Sequence, residues 1–374
     1  MRRIVVVTFG ITTLLGATIQ ACSSASSGGG FAMPEGGSTS SGGSSGGTTS
    51  SGGTTSSSGG NGTSSGLVGD GGLAETSTGD GGAIVKNTVY AHTDTTLYSI
   101  DPSTKAATMI GPMVGTSDSS TDSSITDLAV DSAGDVYVNT ESKVYKATLP
   151  AGGAAGTVTL APVATIQGTS RFYALAFAPV GALDPAKEIL VGGDSTGTLW
   201  SIDSSSGATK SLGNFGADPS ISGNTFELSG DVVFYLDSKS NPTGLATIRS
   251  CPPGGSGSKC SKDYLAGVNM TALKTAYTGT AGASLLAGIY GSTSPTAPGA
   301  GTGFADVFGL AAWNSTVFGF TRYTSSASPT LITIDTTSGA GTAVQTFSFG
   351  NNGWSGAGVT TTVTITVPPP PPAQ

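Results

Sequence analysis

One histidine, His92, stands in a chain of 374 residues. That scarcity excludes metal sites built on two imidazoles and most Ser–His nucleophile arrangements. Charge is almost as scarce: 15 Lys and Arg stand against 23 Asp and Glu, only 10% of the chain, for a net charge of −8. A surface so poor in cations cannot neutralise a run of phosphates, so no nucleic-acid partner is expected. Cysteine occurs at positions 22, 251 and 260 alone. The most apolar stretch, IVVVTFGITTLLGATI near the N-terminus, falls short of the roughly 20 residues that a permanent membrane helix needs.

What is present begins with export. Arg2 and Arg3 form a basic region ahead of that apolar stretch, the order of a secretory signal. The stretch runs into Ile19, Gln20, Ala21 and Cys22, a tetrapeptide that resembles a bacterial lipobox. The resemblance implies that residues 1–21 are a lipoprotein signal peptide and that Cys22 carries a diacylglyceryl group holding the chain to a membrane. Gln20 departs from the small or aliphatic residue usual there, which leaves ordinary signal cleavage as the alternative. Ser23, in place of the Asp that retains such proteins at the inner membrane, implies the outer membrane or cell surface of a Gram-negative envelope.

Residues 22–82 are almost entirely Ser, Gly and Thr. So few apolar side chains cannot offset the entropy of ordering the backbone, and a disordered tether with a root-mean-square span of about 40–45 Å is expected. The nucleophile-elbow pattern GGSSG from Gly42 falls inside this run, where no elbow can be held. Residues 369–374 are predicted to be a Pro-rich extended tail.

Between these flanks the chain repeats itself. TLYSIDPSTKAATMIG from Thr96, TLWSIDSSSGATKSLG from Thr198 and TLITIDTTSGAGTAVQ from Thr330 each read as a strand, a tight turn and a second strand. Asp101, Asp203 and Asp335 take one position in that turn, where a carboxylate accepts backbone N–H groups. Gly207 and Gly339 stand where a positive φ is needed, and Lys105 replaces them in the first copy. A second element recurs upstream: TDLAVD around Leu128, YALAFA around Leu175, FELSGD around Leu228, FGLAAW around Leu310 and SGAGVT around Ala357. In this alignment a small residue always follows, Ala129, Ala176, Ser229, Ala311 or Gly358, as expected for strands converging on a crowded axis. A further strand lies between the two elements, as in GDVYVNT, EILVGGD and TVFGFT.

Four-stranded units recurring at about 40–50 residues predict an all-β domain over residues 83–368, a β-propeller. The interval from Leu228 to Leu310 is too long for one unit. An insertion near residues 251–303, with a short helix at MTALKTAY, makes five blades, and a degenerate sixth blade is the alternative. The first hairpin has no inner strand before it, while the strand near Ala357 has no outer strands after it. The C-terminal strand is therefore expected to close the ring as the innermost strand of blade one. Cys251 and Cys260, exported and left over once Cys22 is lipidated, are expected to pair as a staple on a Pro/Gly loop.

With its motifs VDSAGDVYV and LWSIDSSSG, the domain resembles the propeller superfamily that includes NHL-like, YVTN-like and quinoprotein-like proteins. Among these it is similar to exported propeller lipoproteins of Gram-negative bacteria. PQQ-type dehydrogenases and Bam-complex-like assembly lipoproteins are more distant, since both use more blades. These motifs mark strands and turns and carry no catalytic centre.

Carboxylates are the remaining source of chemistry, because propeller hydrolases and lactonases hold a divalent metal at the axis. Asp127 and Glu227 precede the recurring Leu on two inner strands and are the weak metal candidates. Their counterparts Ala174, Gly309 and Gly356 offer no side-chain oxygen, so a set of six to eight donors would be incomplete. The loop carrying Asp118, Asp122 and Asp127 reads as solvated rather than as a calcium site. No cofactor is expected. The sequence thus points to a membrane-tethered, non-catalytic binding or scaffold propeller, with protein or glycan ligands at its loops. The alternative is a metal-dependent propeller hydrolase or lactonase, and the contents of the axis discriminate between the two.

Overall fold

The computed structural model describes residues 88–368, apart from 118–121, 256–258, 281, 295, 323, 325–326 and 350–352. All of these fall in the compact unit Leu73–Gln374. The export segment, Cys22, the Ser/Gly/Thr run, Asp118 and the Pro-rich tail lie outside the described residues.

The first repeat forms the hairpin of β2 (Thr96–Ile100) and β3 (Ala107–Val114), preceded by β1 (Val89–Thr93). Its turn is built as the sequence predicts. One Asp101 carboxylate oxygen accepts the N–H groups of Ser103 and Thr104 at 2.8 and 3.1 Å. Asp203 does the same for Ser205 and Ser206, and Asp335 for Thr337 and Ser338. Lys105, Gly207 and Gly339 all take the left-handed conformation, with φ of 62°, 72° and 72°.

Antiparallel four-stranded sheets follow one another around a ring. Blade two is β4 (Asp127–Val130), β5 (Val136–Asn139), β6 (Lys143–Thr148) and β7 (Val158–Thr165). Blade three is β8 (Phe172–Ala178), β9 (Ile189–Asp194), β10 (Thr198–Ile202) and β11 (Thr209–Asn214). Blade four is β12 (Thr225–Asp237), β13 (Pro242–Cys251), β14 (Tyr264–Val268) and β15 (Leu286–Ile289). Blade five is β16 (Val307–Trp313), β17 (Thr316–Thr321), β18 (Thr330–Ile334) and β19 (Gly341–Thr346). The innermost strand of blade one arrives last: β20 (Trp354–Gly358) pairs with β1, Ala91 opposite Ala357. The ring is a five-bladed propeller closed by its C-terminal strand.

The long interval is accounted for within blade four. The region 251–303 contains that blade's two outer strands, with helix α1 (Met270–Thr278) between them. Leu273 and Ala276 of the helix are buried, and Lys210 Nζ of β11 donates to the carbonyls of Tyr277 and Gly279. The insertion therefore braces blade four against blade three.

Two departures from regular repetition shape the middle of the ring. In β12 the register slips between Leu228 and Val232, so that Ser229, Gly230 and Asp231 face Thr247 alone. The Thr247 hydroxyl fills the bulge, accepting from Asp231 N–H at 3.1 Å and donating to the Val307 carbonyl at 3.0 Å. Asp231-Val232-Val233, not Glu227-Leu228-Ser229, is consequently the counterpart of Asp127-Leu128-Ala129. The small-residue rule fails in blade four, where Val233 replaces the expected Ser229. Second, the chain beyond β20 crosses one mouth of the ring. Thr360 bridges to Val130 and donates to the Asp131 carbonyl, β21 (Thr364–Ile365) joins the end of β12 in parallel, and Thr366 N–H reaches the Asn314 carbonyl. Val359, Val363, Ile365 and Val367 are buried in the core beneath it.

Candidate functional site

The axis is the first place where chemistry could gather. An innermost propeller strand has no neighbour on its axial edge, and the N–H groups it presents there need acceptors. Here two side chains supply them. Asp127 Oδ1 accepts from its own neighbour Leu128, and Oδ2 accepts from Leu175 N–H on β8 at 2.6 Å. Asp231 repeats the arrangement one blade beyond, Oδ1 accepting from Val232 and Oδ2 from Leu310 on β16, both at 2.6 Å. The Ala357 N–H of β20 also reaches Asp231, and the two carboxyls hydrogen-bond each other. All five inner strands are thus joined through two acids.

Both carboxyls are wholly buried. Burial, then the negative charge of Asp231 and the hydrogen bond with it, push Asp127 well above the ordinary carboxylate range. Burial raises Asp231 in the same way, against the opposing hydrogen bonds from Asp127 and from the Leu310, Val232 and Ala357 N–H groups. Two carboxylates in contact cannot both stay ionised in such a place, so one holds the proton that bonds the pair. Glycine makes room for them. A Cβ at Gly356 would collide with Asp127 Oδ1 and lie 2.6 Å from His92 Nε2. His92, on β1, is buried; its Nδ1 lies 2.7 Å from the Thr93 carbonyl, and Nε2 has no hydrogen-bond partner. Burial, chiefly, pushes its pKa down to about 4, so the ring is neutral.

The axis therefore does not fit a catalytic metal. Every carboxylate oxygen there is already engaged by a backbone N–H, a crossing segment covers one mouth, and the apolar gap among Leu128, Leu175, Val232 and Ala357 measures only 10 Å³. Of the two acids expected from the sequence, Asp127 does reach the axis. Glu227 does not, because the bulge in β12 turns Asp231 inward in its place. Glu227 lies opposite Arg249 and beside Cys251 and Cys260. Burial raises its pKa, against the lowering effect of Arg249. The two sulfurs are bonded to each other and offer no thiolate ligands. The signal that could have found Asp231 is the match of DVVF to DLAV.

The acidic loop departs from the expected solvated character. The Asp122 carboxylate is buried and accepts from Thr140 Oγ1 (2.6 Å), Lys143 Nζ (2.8 Å), the Tyr145 hydroxyl (2.7 Å) and Ser117. Burial opposes its charge, but these donors, Lys143 first, hold it well below the usual carboxylate range. Asp122 pins the loop to blade two.

A roomy site lies between blades one and two. Their outer strands meet in parallel, Met113 opposite Val158, which merges the two blades into one eight-stranded sheet. At this seam a Cβ on Gly111 would overlap the Gly156 carbonyl, and Gly156 N–H donates to the Ile110 carbonyl at 2.7 Å. Inside the seam a cleft of about 480 Å³ is lined by Tyr90, Ser99, Ile110, Val136, Thr148 and Leu149, with the turn 150–154 along its edge. Asp135 and Lys146 form an ion pair of 2.5 Å in its wall, the ammonium lying 5.8 Å from the centre of the Tyr137 ring. The volume is within the range of small-ligand sites, and the lining mixes apolar surface with a few hydroxyls.

No protein-family model matches the sequence, and no curated protein does. Among solved structures the chain is similar to the Dos1 propeller at 10% identity and a TM-score of 0.33, covering 68% of this chain and 55% of that one. The chain thus spans little more than half the length of that structure. BamB from Moraxella catarrhalis is similar at 12% identity and 0.28, over 70% of each chain. Virginiamycin B lyase from Staphylococcus aureus is similar at 13% and 0.28, over 70% of this chain and 67% of that one. It is the strand pairing that makes this chain a five-bladed β-propeller.

Proposed function

We propose that the protein is a membrane-tethered extracytoplasmic binding propeller, anchored through Cys22, that takes its ligand in the cleft between blades one and two and performs no catalysis. The observation that supports binding over axial catalysis is the occupation of every axial carboxylate oxygen by strand N–H groups. A hydrolase metal would have to strip those bonds and leave buried donors unpaired, at about 1–3 kcal/mol for each. The cleft walls carry no net charge, since Lys146 is matched by Asp135. They suit a neutral ligand with an apolar face and several hydroxyls, the chemistry of a glycan unit.

Two experiments test the reading. Thr148 is exposed at the cleft wall, so Thr148→Trp fills the cleft without disturbing the core. Neutral glycans bound by the full chain should be lost in this variant while the melting temperature is kept; binding indifferent to the substitution removes the cleft from the reading. Fatty-acid labelling in a bacterial host should disappear in Cys22→Ser, and equal labelling of both proteins removes the anchor.

A further inference from the structure

We propose that Asp127 and Asp231 form a proton-dependent latch on the ring: sharing one proton they tie the five inner strands together, and its loss loosens the closing strand β20. The inference concerns the buried axis and stands apart from ligand binding in the cleft.

The geometry singles out β20 because both acids bear on it. Asp231 accepts the Ala357 N–H, and Asp127 packs where a side chain on Gly356 would sit. With the proton in place, the pair carries one negative charge set against five N–H donors. Removing the proton places two negative charges in contact on the axis, with no cation among the described residues beside them to compensate. The surroundings offer little relief. Strand β1 brings His92, neutral and with Nε2 unpartnered. Beyond it, Asp94 and Arg322 are paired with each other at 2.9 Å. Strands β16 and β20 have no titratable side chain, and Tyr173 on β8 turns to Glu141. Strand β13 brings only the Thr247 hydroxyl to Asp231. Water cannot easily enter either, because the segment 359–368 crosses the mouth at the far end of the inner strands.

The sign follows from linkage. Both groups are raised in the folded protein, so their contribution to stability is complete below the ordinary carboxylate range and is lost as pH rises through the raised values. Release would begin at β20, which only the two-residue β21 follows among the described strands, so that the pair can leave together without unthreading the ring. A rigid brace without titration would show no such pH dependence.

The test compares the full chain with Asp127→Asn, which removes one charge and the shared proton and gives up one of the two N–H acceptors at that position, a cost that does not vary with pH. As the pH rises above the ordinary carboxylate range the melting temperature of the wild type should fall by about 2–4 °C more than that of the variant. Over the same range, hydrogen exchange at the Ala357 amide should accelerate in the wild type ahead of the amides of β9. Parallel melting curves, or exchange at Ala357 no faster than at β9, overturn the latch. Should Asp127→Asn fail to fold, infrared spectroscopy with both acids in place decides. In an Asp263→Asn background, which removes the other raised buried acid, a protonated-carboxyl C=O band should persist above the ordinary carboxylate range and fade as the pH is raised further. Absence of that band overturns the proposal.

Discussion

Ala91 of β1 and Ala357 of β20 face each other across the seam that closes the ring. Around this seam Trp354 is buried and meets Tyr98, Phe320, Phe347 and Phe349 with ring centroids 5.2, 5.4, 4.9 and 4.8 Å away. The indole thus joins the C-terminal strand to blades one and five in a single aromatic cluster. Deleting residues 354–367 should expose the edge of β1, empty the aromatic cluster around Trp354 and cause aggregation or loss of a cooperative melt. The milder Trp354→Ala should lower stability by about 3–5 kcal/mol, read by denaturant unfolding. A truncated chain that melts like the full one would show that closure does not depend on β20.

The three hairpin turns provide an internal comparison of backbone strain. Gly207 has φ of 72°, and the Thr165 carbonyl of blade two lies where its Cβ would be. Gly339 has the same φ, with the Tyr290 carbonyl 2.4 Å from that point. Lys105 meets the same backbone demand with a side chain and bears the left-handed penalty of about 1 kcal/mol. Lys105→Gly should therefore raise the melting temperature slightly. Gly207→Ala should lower it by more than the conformational cost alone, because the Thr165 carbonyl must also move. Equal and opposite shifts at the two positions would mean that the neighbouring blade exerts no constraint.

Periodic features of the fold could be read from residues, whereas contacts between blades could not. Asp101, Asp203 and Asp335 announced their turns because one carboxylate serving two local N–H groups is a property of a few consecutive residues. The closing strand was legible from an imbalance: an inner strand missing at one end and left over at the other. Glu227 takes the wrong place in the sequence reading because a three-residue bulge leaves no mark in hydrophobic alternation; the pairing of Leu228 with Ile248 and Val232 with Ala246 reveals it, and the match of DVVF to DLAV is its one trace in the sequence. Asp122 looked solvated because Lys143 and Tyr145, which bury it, come from the hairpin that folds back over the loop. The cleft depends on the parallel meeting of β3 and β7, a contact between edges for which neither strand carries a separate signature.

The disulfide offers a prediction independent of the axis. Cys251 ends β13 and bonds to Cys260 across a sequence separation of 9, closing the Pro/Gly loop ahead of β14. Cross-linking so short a loop restricts the unfolded chain by at most about 2–3 kcal/mol. The double variant Cys251→Ser, Cys260→Ser should melt at a lower temperature with its cooperativity intact, since β13 and β14 remain paired from Leu245 to Ile248. Loss of the cooperative transition would assign the bridge a larger part in assembling blade four.

Stability should also change with pH between about 4 and 7, where two groups outside the latch act in opposite directions. Asp263 is buried, accepts from Ser229 Oγ and Val307 N–H at 2.6 Å through Oδ2, and leaves Oδ1 without a partner. Burial, chiefly, pushes it up to about 7, so its stabilising contribution is lost as pH rises from the usual carboxylate range through about 7. His92 has the opposite sign. Its pKa is pushed from 6.5 down to about 4, so the unfolded chain takes up a proton first and stability falls as pH drops from about 6.5 towards 4. Thermal melting across this range should show Asp263→Asn flattening the approach to pH 7 from below. His92→Asn should flatten the decline on the acid side, where the amide can still bond the Thr93 carbonyl. The two effects should add in the double variant, because the groups lie in different blades and share no hydrogen-bond partner. An acid limb unchanged by His92→Asn would mean that the imidazole is already charged in the folded ring.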